Sequence, residues 1–165
     1  MKRVYIIIVM LTLLVTASGI IYKRIRYEQS GYIDGRGAAR AMYAIEANNH
    51  LEKLTKNIRF AYDTSILPSE SYAALDSVIT VIKTYEKEGF RYIFHIHSHQ
   101  QNRNDTLETA YAQEVASSIK QYVVNAGISS DIIKAVGIGR KNRLCLDETE
   151  PDCFRQNNRL EIHVD

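Results

Sequence analysis

The chain has 165 residues, 45% hydrophobic and 24% charged, with 21 Lys+Arg against 19 Asp+Glu, two cysteines and no tryptophan. That length holds one domain with an appendage, and the composition excludes a disordered tail, a low-complexity fibre, a disulfide-dense scaffold and a four-cysteine zinc module. The net charge of +2 averages two unlike parts: residues 1–56 carry nine basic and four acidic side chains and residues 57–165 carry twelve and fifteen, which argues against nucleic acid as a ligand.

Lys2 and Arg3 precede an apolar run from Val4 to Tyr22, broken only by Thr12, Thr16, Ser18 and Gly19, and Lys23, Arg24 and Arg26 follow at once. About 20 apolar residues are what a helix needs to cross a bilayer. Two readings stand for residues 1–22: an uncleaved transmembrane anchor, or a signal peptide cut after Ala17. Basic residues on both flanks leave orientation weakly marked. No cysteine follows the run, so lipid attachment at a processed cysteine is excluded. Either route takes the remainder out of the cytoplasm, and the anchor reading places a periplasmic domain on the inner membrane. Residues 23–56 read as a linker loosened by Ser30, Gly31, Gly35 and Gly37. Ala38, Met42, Ile45, Leu51 and Leu54 then predict one modest helix from about Arg36 to Leu54. Gly35-Arg36-Gly37 has neither a preceding strand nor a Gly-Lys-Ser/Thr, so it is not a phosphate loop.

The domain proper spans 57–165. Ile58, Phe60 and Tyr62 alternate as a first strand. Pro68 and Glu70 open a helix whose face is Tyr72, Leu75, Val78, Ile79, Ile82 and Tyr85, and Gly89 stops it. Tyr92, Phe94 and Ile96 mark a second strand, with His95 and His97 on its other face. After a polar loop, Asp105 and Glu108 stand at capping-box spacing before a second helix that ends at Gly127. Ile132–Ile138 forms a third strand, and Leu160, Ile162 and Val164 alternate in a fourth. The order β-α-β-α-β-β predicts an α+β two-layer sandwich, a mixed four-stranded sheet with two helices on one face.

Four segments in register resemble the C-terminal domain of the OmpA-like family of envelope proteins. Ile58 to Pro68 resembles that family's strand-to-helix opening, and Phe94 to Arg103 resembles its Gly-His-Thr-Asp-Asn-Arg loop. Ala126-Gly127-Ile128 with Val136-Gly137-Ile138-Gly139 resembles its helix end and Gly-x-Gly strand exit. Asn157-Asn158-Arg159-Leu160-Glu161-Ile162 resembles its closing strand. The resemblance covers about two thirds of the chain. It implies that the last strand lies between the first and second, and that the domain holds peptidoglycan or an envelope protein partner by binding, without a cofactor.

In such domains a loop Asp accepts hydrogen bonds from the ammonium of a stem diaminopimelate, and an Arg on the second helix pairs with its carboxylate. The sequence departs from that pattern. The Asp position is Gln101, the Arg position is Val115, the motif glycine is Ser98 and the helix Asn is Glu108. Loss of both charges removes the assistance that makes such bonds strong. His99, Asn102 and Arg103 keep the loop's polar character, and Arg103 or Arg159 is left as a substitute cation. Cys145 and Cys153, eight apart, stand where relatives often carry a cystine, and export would pair them.

With the second and fourth strands as neighbours, His95, His97, His163 and Glu161 share the sheet face away from the helices. That set offers imidazole and carboxylate ligands for zinc or copper, and a metal-binding protein is the alternative function. A merely wet surface explains the same residues. Ser117-Ser118 and Ser129-Ser130 lack a nucleophile elbow, and Asp147, Glu148, Glu150 and Asp152 read as a solvated loop, so no enzyme is expected.

Overall fold

The computed structural model describes residues 35–60, 64–99, 104–146 and 150–165. The chain divides into residues 1–39 and a compact unit of residues 40–165. Of the first, only the opening turns of a helix, α1 (Gly35–Thr55), are described. The apolar segment 4–22, and with it the choice between anchor and signal, lies outside the described residues. Among the described residues no helix is long and apolar enough to cross a membrane.

Three strands form one mixed sheet. Central β1 (Tyr92–His97) pairs in parallel with β2 (Ile133–Gly139) and antiparallel with β3 (Arg159–Val164). Two long helices belong to the same unit, α2 (Ser69–Thr84) and α3 (Asp105–Asn125), and a short α4 (Pro151–Asn157) precedes β3. Parallel neighbours need a long crossover, and α3 supplies it between β1 and β2, against which it packs. The core joins Tyr92, Phe94, Ile96, Leu160 and Ile162 of the sheet to Leu75, Val78 and Ile82 of α2 and to Ala112, Val115 and Ile119 of α3. Ala47 and Leu51 of α1 are fully buried in that core, as the expected helix over 36–54 requires if it leans on the domain. Gly137 lets α3 come close: a Cβ there would collide with the backbone of Ala112 and Gln113. The Gly137 N–H donates to Gln113 Oε1 at 2.9 Å, so the approach is also a bond.

The sheet differs from the four-stranded expectation. Ile58–Phe60 form no strand, and Ala61 and Tyr62 lie outside the described residues. The backbone of Arg59 bonds to α2 instead: its N–H donates to Ser71 Oγ at 2.8 Å, and the Ser71 hydroxyl donates to Arg59 O at 3.0 Å. On the outer side of β3, the Val164 N–H is taken by Asn48 Oδ1 of α1 at 3.0 Å. These side chains satisfy backbone groups that a further ladder would otherwise pair. The loop expected before the last strand also contains α4, with Pro151 in its first turn. The cap of α3 is one residue earlier than the capping-box spacing suggests. Asn104 Oδ1 accepts from the Leu107 N–H at 2.9 Å, and Glu108 turns inward.

Candidate functional site

Ser98 and His99, the first residues after β1, are tied down from two sides. Ser98 N–H donates to Gly139 O at 3.2 Å, which carries the pairing of β1 and β2 one residue further. The Ser98 hydroxyl donates to Glu108 Oε2 at 2.6 Å, and both side chains are fully buried. Ser98 and Glu108 therefore meet as a buried pair, the hydroxyl donating to the carboxylate. His99 is fully buried, and its N–H donates to Asn158 Oδ1 at 2.8 Å. Asn158 Nδ2 in turn donates to Phe154 O at 2.8 Å, joining α4 to this loop. Gln101, Asn102 and Arg103 lie outside the described residues.

Val115 is 1% exposed and belongs to the core, so position 115 has no donor and no opening to solvent. Arg159 is not a free substitute cation. Its Nε holds Glu161 Oε1 at 2.8 Å, and its other nitrogens donate to Gln156 O at 3.3 Å and Asn142 O at 3.1 Å. Next to Asn158 lies a cleft of about 370 Å³ whose lining includes Lys56, Arg59, Leu144, Arg155 and Arg159. This cluster does not show in the sequence, because its cations come from segments about a hundred residues apart. Lys56 pairs with Glu52 at 3.0 Å and Arg155 pairs with Asp152, both on the surface.

Cys145 and Cys153 are joined by a disulfide that clips α4 to the preceding loop. Asn157, fully buried, reinforces the clip. Its Oδ1 accepts from the N–H groups of Leu144 at 2.9 Å and Cys145 at 3.2 Å, and its Nδ2 donates to Cys145 O at 2.8 Å.

On the sheet face away from the helices, His95 stands directly across from Glu161, and His163 stands across from Ile93. One ligand atom from each of His95, Glu161 and His163 lies within 4.8 Å of the others. The His95 and His163 rings are 5.2 Å apart. His97 is not one of those three: it is buried, with Nδ1 3.0 Å from Lys141 O and Nε2 3.3 Å from Glu161 Oε2. Burial lowers the pKa of His95, helped by the neighbouring His163 and His97. Burial also lowers that of His97, outweighing the bond to Lys141 O. For Glu161, burial would raise the pKa, but the Arg159 guanidinium and His97 together hold it below the usual carboxylate range.

Residues 59–159 match the OmpA family. Outer membrane protein P5 of Haemophilus influenzae is 28% identical over 144 residues, or 81% of this chain, and the chain spans 39% of that relative's length. A putative MotB-like protein from Desulfovibrio vulgaris has a TM-score of 0.60 at 13% identity, over 78% of this chain and 94% of that one. The peptidoglycan-associated lipoprotein from Burkholderia pseudomallei has a TM-score of 0.57 at 15% identity, over 66% of this chain and 88% of that one. At such identities the two structures share the fold.

Proposed function

This chain belongs to the OmpA family, and from that premise we propose that it is a binding module of the cell envelope, not an enzyme, that contacts peptidoglycan non-covalently without the family's charged clamp. The relatives named above support an envelope role, one as an outer membrane protein and one as a peptidoglycan-associated lipoprotein. The observation that carries the modified mode is the basic cleft next to Asn158. It gathers Lys56, Arg59 and Arg155, with Asp152 and the already engaged Arg159, beside the Asn158 that holds the His99 backbone, while position 115 offers only a buried valine. Carboxylates of a peptide stem would meet those cations there. The surface partners Glu52 and Asp152 are cheap to exchange, because exposed ion pairs are worth little. Residues 4–22 would anchor the module in the inner membrane, with the cystine in an oxidising periplasm.

An envelope protein is the second occupant. Leu144 on the rim of the cleft and Leu146 two residues on are 61% and 85% exposed, which suits an apolar partner surface. The test is co-sedimentation of the whole chain, kept soluble in mild detergent, with purified peptidoglycan. Binding that weakens several-fold in Lys56→Ala/Arg155→Ala, and falls with added salt, supports the cleft. Binding indifferent to both overturns this mode, and absence of binding passes the role to the protein partner.

A further inference from the structure

The histidine face carries chemistry that contact with a cell-wall peptide does not require. Three side chains from two strands converge there: His95 of β1, and Glu161 and His163 of β3. In a tetrahedral zinc site with bonds of about 2.0–2.1 Å, ligand atoms lie about 3.3 Å apart. The 4.8 Å spread seen here is about 1.5 Å wider than that value. Glu161 Oε2 is already 3.6 Å from His163 Nε2.

The carboxylate is also supported from behind. Arg159 Nε grips Oε1 and leaves Oε2 toward the histidines, and Arg159 is itself fixed by the carbonyls of Gln156 and Asn142. Partners of this kind orient a ligand and raise metal affinity. His97 Nε2 also lies 3.3 Å from Glu161 Oε2.

We propose that His95, Glu161 and His163 form a site for one divalent cation of the zinc class, with water completing its coordination. Imidazole and carboxylate suit zinc, copper and nickel better than calcium or magnesium. The His163 side chain is 55% exposed, so an ion has an open route from solvent. Lys134 on β2 and Arg159 are the positive charges that oppose it, and Arg159 is already compensated by Glu161 Oε1.

Zinc chloride titrated into the whole chain by calorimetry tests the site, together with ring-nitrogen NMR shifts of the unsubstituted chain, which need no variant to fold. One zinc per chain is expected, with the rings of His95 and His163 shifting on addition. His95→Ala and His163→Ala should each weaken binding about tenfold or more. His50→Ala, on α1, should leave it unchanged. Binding that survives the double variant His95→Ala/His163→Ala overturns the site, as does absence of heat and ring shifts up to about millimolar zinc.

Discussion

The two faces of β1 are held by different physics. Tyr92, Phe94 and Ile96 point into the core and are at most 1% exposed, packed against the helices. Ile93 and His95, between them, stay half-buried, and His97 is covered because Lys141 reaches it. The first face is held by apolar area and shape, which act in every direction and tolerate no charge. The second is held by a few directional bonds and by Glu161, so it answers to pH and to ions. One six-residue strand thus separates what keeps the fold from what can respond to the surroundings.

The largest expected effect contrasts adjacent residues of that strand. Phe94→Ala should cost about 3–5 kcal/mol in urea unfolding, whereas His95→Ala should stay within about 0.5 kcal/mol. Similar losses at the two positions would break the contrast. A smaller effect tests the clip at the start of β3. Reduction, or Cys145→Ser with Cys153→Ser, should cost about 2–3 kcal/mol on the chain-entropy account. The loss should be read as a lower urea midpoint, with core fluorescence of the folded state unchanged.

The smallest effect is confined to the polar face. Folding lowers the proton affinity of His95 and His97, so the unfolded chain binds more protons just below pH 6.5. Stability should be flat above pH 6.5 and fall as the pH drops toward the lowered native values. Glu161 adds a second loss at lower pH, since its contribution is complete above its unfolded value of 4.5 and disappears as the pH falls through its lowered native one. His163, Arg159 and Lys134 face the same groups and set the local charge. His97→Gln should shrink the first step to the share of His95 and weaken the second, which Arg159 still supports. An unchanged profile would mean that His97 is not the group that titrates.

Much of this was legible in the sequence for a simple reason. Alternation at Tyr92, Phe94 and Ile96 and at Leu160, Ile162 and Val164 is a local signal, and both strands form where it points. The juxtaposition of His95 with Glu161 then follows from the strands being neighbours. What escaped is non-local or short. The expected strand over 58–62 has the right alternation, yet Ser71 captures Arg59 from twelve residues away. α4 has only seven residues, too few for a period to show, and Pro151 was its one local mark. Asn157 and Asn158 were visible as a motif, but their work is not. One holds the cystine loop and the other holds the backbone of His99, 59 residues distant. Arg159 of the cleft was visible as a motif residue, whereas Lys56, Arg59 and Arg155 join it only through the fold, and Gln101, Asn102 and Arg103 lie outside the described residues.

The bond from Asn48 to Val164 sets a timetable as well as a contact. It spans 116 residues, and closing a long loop costs entropy that local helices do not face. A chain made or exported from its N-terminus presents Asn48 long before the strand it must meet. Helices α2 and α3 can form while that partner is still missing, and β1 waits meanwhile with one side unpaired. In pulse-labelled hydrogen exchange the Val164 amide should therefore gain protection after those of the helices, and earlier protection would reverse this order of assembly.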